Sequence, residues 1–449
     1  MLLIGIHESL HGKCRTLAKS RFNRTSSILA TPTNSLSISI IYLSYSILFR
    51  NYNTLNWEWL SFLKIRATWG ALGNERIGDF PYMSTIAFGN TIFYQNNGIY
   101  FDQTASQQKY AIENVTWEKT ESTDIGLDIS FLNNRLRVNG DYYWKNTKDM
   151  LLAMAIPDFL GFSDPDVNAG KMSTKGYELN VSWNDHIGDF SYGIAINFSD
   201  FTSKMGDLQG TQFLGDKVKM EGSEFNEWYG YVSDGLFLTE EDLKNSPKIN
   251  DKNTQLGDIK YKDISGPDGV PDGKISPEYD RVLLGSSLPH FLYGGNINLG
   301  YKNFDLSLAF QGVGKQNARL AREMVEPFRN NYGNFPAIID GNYWSPYNTD
   351  EQNAVAKYPR LTHVNKSSNY AMSDYWLFNG GYFRLKNITL GYTFPKEWMN
   401  AIGIKGARIY ASASDLFCLS KYPKGWDPEM GVSEYPITTS ILLGVSVNF

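Results

Sequence analysis

Five aspartates, Asp258, Asp263, Asp268, Asp272 and Asp280, share one glycine-rich stretch and are the residues most like a metal site. Carboxylates on a loop with glycine at its sharp turns suit Ca2+, a hard cation that takes about six to eight oxygens. The stretch reads Asp263-Ile264-Ser265-Gly266-Pro267-Asp268-Gly269, then Val270-Pro271-Asp272-Gly273-Lys274. Its spacing is wider than an EF-hand loop and lacks the closing bidentate glutamate. Two readings stand: a structural Ca2+ held by Asp263, Asp268 and Asp272, or a solvated acidic turn. Gly269 to Lys274 imitates a phosphate loop but is one residue short. Ile275 replaces the Ser/Thr, and no strand-to-helix context surrounds it.

Catalysis finds no footing. Glu240-Glu241 and the pair Glu323 and Glu326 supply carboxylates, but glycoside hydrolysis needs two of them facing each other across a sugar. Nothing in the sequence brings these together. Cys14 and Cys418 make no disulfide framework, and the five His are scattered without an HExxH. The chain reads as a non-enzyme that requires no cofactor.

Aromatic rings in the long polar connections carry a different chemistry. Tyr343, Trp344 and Tyr347, with Trp426 further on, offer rigid stacking surfaces with a polar edge, suited to sugars or peptides. The same rings could instead pack the connections together.

What would position these residues is a series of strands. From Leu63 onward the hydrophobic period is two. Ile125, Leu127, Ile129 and Phe131 alternate with polar neighbours. After Asn133-Asn134 the pattern resumes in Leu136, Val138, Tyr142 and Trp144. Tyr177 to Trp183, Phe190 to Phe198, Ile297 to Tyr301, Phe304 to Phe310 and Ile388 to Tyr392 repeat it, the last with a bulge near Lys386-Asn387. The final residues, Ile441 to Phe449, put five apolar side chains on one face. Such a strand is a liability on a soluble sheet edge and an asset against lipid. The pattern predicts an antiparallel transmembrane β-barrel, with about fourteen strands from residue 63. Connections alternate short (132–134, 185–189, 222–225, Lys302-Asn303) and long (150–175, 239–288, 314–380, 415–440); 394–405 is intermediate and opens with Pro395. The link near 201–210 is shorter than its side of the barrel predicts.

Bulk numbers agree. The 449 residues include 28 Tyr, 26 Phe, 11 Trp and 40 Gly, with a net charge of −5. Aromatics such as Tyr142, Trp144, Trp183 and Tyr392 suit an interfacial belt. No basic run is present, so nucleic acid is excluded as a partner. Residues 1–55 fit no element and are expected to be a poorly ordered N-terminal segment, with 56–449 as the barrel part. Leu2 to Ile6 is shorter than the roughly 7–15 apolar residues of a signal-peptide core.

In these motifs the chain resembles the C-terminal part of the SusC/RagA family of TonB-linked outer-membrane transporters of Bacteroidota. The resemblance runs through Leu63 to Gly70 with Gly73-Asn74, Trp117-Glu118-Lys119-Thr120, Asn168-Ala169-Gly170 and Gly257-Asp258-Ile259-Lys260-Tyr261. It continues through Tyr382-Phe383-Arg384-Leu385-Lys386-Asn387 and Asp427-Pro428-Glu429. It implies import of glycan or peptide fragments through a barrel of about 22 strands. A SusD-like surface lipoprotein would lid that barrel, and TonB would act on a plug missing from this chain, which is then a fragment. Two alternatives are a passive porin-like channel and a soluble carbohydrate-binding β-protein.

Overall fold

A computed structural model describes residues 23–29, 38–50, 59–74, 86–95, 98–107, 115–153, 161, 165–208, 210–250, 252–329, 335–430, 435 and 437–449. Its frame is one antiparallel sheet of twelve strands whose spatial order follows the chain order. The strands are β1 (Asn23–Leu29), β2 (Ile38–Arg50), β3 (Leu60–Asn74), β4 (Glu118–Phe131), β5 (Leu136–Ala153) and β6 (Asp166–Ile187). They continue with β7 (Phe190–Met205), β8 (His290–Tyr301), β9 (Phe304–Lys315), β10 (Tyr382–Thr393), β11 (Gly406–Ser420) and β12 (Ser440–Asn448).

Register carries the apolar face from strand to strand. Ile194 pairs with Trp183 and Ile297, Ile297 with Leu308, Leu308 with Ile388, and Leu390 with Ala411, which meets Leu443. Among the described residues no second layer covers the band these side chains form: Ile125, Leu127, Leu179, Ile196, Leu390, Leu443 and Val445 are all exposed. Two aromatic belts bound it. Phe190, Tyr301, Phe304 and Tyr392 ring one rim, with Phe304 and Tyr392 centroids 4.8 Å apart. Tyr142, Trp144, Tyr177, Phe198 and Phe310 ring the other, with Tyr177 and Phe198 at 6.0 Å. On β7 the belts are eight residues apart, about 26 Å along the strand. At a strand tilt of about 35–45° this projects to roughly 20 Å, close to the apolar height of an outer-membrane barrel, about 25 Å.

Connections sort cleanly by rim. Leu132–Arg135, Gly188-Asp189, Lys302-Asn303 and 394–405 lie at one end, the last holding the helix Lys396–Ala401 after Pro395. The strand ends that border the longer connections 75–117, 154–165, 206–289, 316–381 and 421–439 all lie at the other.

Among the described residues, ten strands from Leu60 onward belong to the sheet. The alternating segments that leave it are the hairpin Ile86–Gln95/Gly98–Gln107 and the short strands between 211 and 238, three of which join Arg281–Gly285 in a separate sheet. The turn at 222–225, expected as a short link between barrel strands, lies inside one excursion running from 206 to 289. Ahead of residue 55, the backbones of β1 and β2 pair with each other and with β3.

Candidate substrate-binding face

The inner face of the sheet is polar. On β3 Arg66 reaches both Asp128 of β4, at 3.0 Å, and Asp141 of β5, at 2.8 Å. Asn139 donates to Asp128 at 2.8 Å. Arg66 lies across Gly126, its register partner on β4, where a Cβ would strike the guanidinium. The arrangement recurs on the other flank. Arg408 crosses Gly391 to reach Asp305 at 2.5 Å. Between these flanks the wall hollows into a cavity of about 760 Å3 lined by Glu178, Asn180, Asn197, Asn296, Gln311 and Lys386, among others.

A bulge decides how that wall ends. On β10, Ile388, Leu390 and Tyr392 face outward, and strict alternation would send the even-numbered Arg384 outward with Ile388 and Leu390. The register shifts between Leu385 and Asn387, leaving Lys386 as the extra residue. One extra residue reverses which side faces in. Arg384 therefore points inward, only 3% exposed, with its Nε 2.6 Å from Glu429 and its Nη2 2.6 Å from Asp427. Lys386 binds Asp415 at 2.6 Å.

Beyond the rim the two largest excursions fold on each other. Tyr231, Leu236, Ile259, Tyr261 and Ile275 from 206–289 share one core with Met324, Val325, Ile339, Tyr370 and Trp376 from 316–381. Asp258 sits at its centre, fully buried, and accepts from five donors: the Gln255 amide, Arg360 Nε and Nη2, and the Asn365 and Asn369 side chains. A buried carboxylate is tolerable only when so compensated. Burial also pushes the phenols of Tyr261, Tyr370 and Tyr375 above their ordinary range. Tyr261 stays a neutral donor to the Ser368 carbonyl, at 2.6 Å. Glu326 is opposed by burial, yet hydrogen bonds and charge from Arg322 and Lys366 outweigh it and hold its carboxyl below the ordinary range.

The five aspartates divide. Asp280 is buried and accepts the Ile264, Ser265 and Ser276 amides, so with Asp258 it shapes the loop. Asp263 accepts the Gly273 amide at 2.6 Å, Asp272 accepts the Lys274 amide, and Asp268 stands exposed on the turn. Asp263 Oδ1 is buried without a partner. No cluster of three or more His, Cys, Asp or Glu side chains placed to hold one ion occurs among the described residues. Among Asp263, Asp268 and Asp272 the inward, unpaired oxygen is Asp263 Oδ1, while Asp268 faces solvent.

Of the four candidate rings, three come together. Tyr343, Trp344 and Tyr347 line a cleft of about 590 Å3 with Glu240, Gln255 and Arg360. Tyr347 is 95% exposed, whereas Trp344 leans on the shared core and covers Gly257. Trp426 also packs on that core and does not line the cleft. Sequence reasoning named Asp258, Arg384 and Glu429 but missed the pairing of Asp258 with Arg360 and of Arg384 with Glu429, because the partners are far apart in the chain. The one available signal was that Asp258, Arg384, Asp427 and Glu429 all fall within the resemblance motifs.

The model of the family described as TonB dependent receptor-like, beta-barrel, matches residues 21–416. TonB-dependent receptor P3 of Formosa agariphila is 29% identical over 401 residues, covering 85% of this chain and 36% of that protein. TonB-dependent receptor SusC of Bacteroides thetaiotaomicron is 29% identical over 409 residues, covering 87% of this chain and 38% of its own length. The chain thus spans well under half the length of these relatives. Among solved structures, the RagAB peptide importer in its open-open state superposes with a TM-score of 0.70 at 21% identity, covering 96% of this chain and 44% of that one. That likeness establishes the fold. The bare girdle, the polar inner wall and the matched span agree: the chain belongs to the TonB dependent receptor-like, beta-barrel family.

Proposed function

We propose that this chain forms the C-terminal part of the wall and cap of an outer-membrane nutrient importer that takes up glycan or peptide fragments. The observation that carries this is a bare apolar band backed by a polar inner wall, with the strand ends bordering the longer connections all on one rim. Large barrels with a polar interior conduct solutes, and their long loops face outside. In this reading a SusD-like lipoprotein lids the cap. TonB supplies force through a plug domain additional to the residues of this chain. The cleft of Tyr343, Trp344 and Tyr347 makes first contact with substrate, Tyr347 by stacking and Trp344 by holding the wall in place. No cofactor enters the proposal.

Fractionation and uptake test it together. The chain is expected to stay in outer membranes through a carbonate wash. Uptake of labelled oligosaccharides or peptides should fall several-fold in Tyr347→Ala and stop when an uncoupler removes the proton gradient. Release by carbonate would point instead to a soluble binding protein, and uptake indifferent to the uncoupler to a passive channel.

A further inference from the structure

We propose that the outer face of β5 to β7, just beyond the long-loop aromatic belt, holds the anionic phosphate headgroup of a lipid of the surrounding membrane. Alternation puts Lys175 on the lipid side of β6, two residues past Tyr177, and Lys204 on the lipid side of β7, six past Phe198. Register brings them close: Lys175 pairs with Trp144 and with Thr202, and Ser173, on the next outward row, pairs with Lys204. Lys175, Lys204, Ser173 and Thr202 line a cleft of about 480 Å3 together with Tyr142 and Tyr177.

Three observations give the cleft an occupant. Both lysines are exposed, and among the described residues neither has a carboxylate within 4.0 Å. The carboxylate that does line the cleft, Asp200, is engaged elsewhere: His290 Nδ1 lies 2.8 Å from it, and the Phe291 amide donates to it. The cleft is also continuous with the lipid-facing band, since Tyr142 and Tyr177 belong to both. A hydrocarbon chain on the band would carry its headgroup to this level, where two lysines and the Ser173 and Thr202 hydroxyls face it. Lysines at such an interface keep their stems on apolar surface and their ammonium groups among phosphates.

The inference rests on the reading that this face meets lipid. Native mass spectrometry of the full chain released from phosphatidylcholine nanodiscs containing lipid A tests both. Retained lipid A is expected to fall about thirtyfold in Lys175→Gln/Lys204→Gln, two lysines at about fivefold each. It should persist in Lys175→Arg/Lys204→Arg. It should also persist in Lys145→Gln, which removes a charge at the same height from the inner face. Inorganic phosphate at millimolar concentration should not displace it. Equal loss in Lys145→Gln, or equal displacement by inorganic phosphate, overturns the headgroup site while leaving the membrane reading intact. A chain that never enters the nanodisc overturns both.

Discussion

Arg384 and Asp427 stand 43 residues apart and meet through one guanidinium nitrogen, which donates to both carboxylate oxygens at 2.6 Å. Glu429 lies at 2.6 Å from the same guanidinium. The contact ties the connection 421–439 to the inner wall, and it exists only because the bulge at Lys386 turns Arg384 inward. Two of the motifs that carried the family resemblance are thus the two halves of one clasp.

Removing the cation should undo that clasp. Arg384→Gln leaves Asp427 and Glu429 facing each other with little water, and breaking a buried ion pair on one side costs about 3–5 kcal/mol. Limited proteolysis should then cut within 421–439 under conditions where the parent chain resists. Adding Asp427→Asn should restore part of the resistance, since it removes one of the stranded charges.

Gly257→Ala should loosen the cap. Gly257 has φ +83°, and a Cβ there would overlap the Trp344 ring. Strain in the left-handed region and collision in a packed core add, at about 1–3 kcal/mol for either. The expected readout is faster amide exchange at Ile259 and Tyr261, with exchange in β6 and β7 unchanged.

Acid should act on the cap through Glu326. Its folded pKa is depressed, so the stability it contributes is present above the ordinary glutamate value, about 4.3, and is lost as pH falls through the lower folded value. Below that range Arg322 and Lys366 face a neutral partner. Intrinsic Trp fluorescence, which reports Trp376 in the shared core, should shift over that interval in the parent. The part due to this group should be missing in Glu326→Gln.

The two faces of the sheet should differ in their tolerance of charge. Ile194→Arg places a cation in the girdle between the belts, where the cost is about 2–4 kcal/mol near the bilayer midplane. Asn180→Arg places one on the inner wall beside Glu178 and should cost little. Folding titrations in lipid vesicles would rank the pair, and equal costs would mean that the outer band does not meet hydrocarbon.

Chelation should leave the cap unchanged. Asp258 and Asp280 take all their partners from the protein, so EDTA is expected to alter neither the proteolysis pattern nor amide exchange in 258–280. A change confined to 263–274 would indicate an ion bound at Asp263.

The girdle was legible because a strand with one face in lipid writes its burial pattern at period two, as in Ile125 to Phe131. The tight turns Leu132–Arg135 and Lys302-Asn303, and the bulge at Lys386, were legible for the same local reason. What the period could not reveal was which sheet a strand joins. Short strands such as Glu227–Tyr231 belong to a separate sheet in the cap, with Tyr231 in the cap's own core. Long-range partners were equally hidden. Nothing around Asp258 announces Arg360, 102 residues away, or Asn369, 111 away. Within the acidic stretch, Asp258 takes its side-chain partners from beyond residue 350, whereas Asp280 takes its amides from the stretch itself.

The shared core of the cap has a mechanical consequence. Its ten buried residues come equally from the excursions 206–289 and 316–381, so neither can swing away alone without baring the face on which Trp376 and Ile339 rest. Exposing each such side chain costs about 1.5–3 kcal/mol. Any opening of the mouth on this side must therefore move both excursions together as a rigid body, hinged where they leave β7 and β9 and return to β8 and β10.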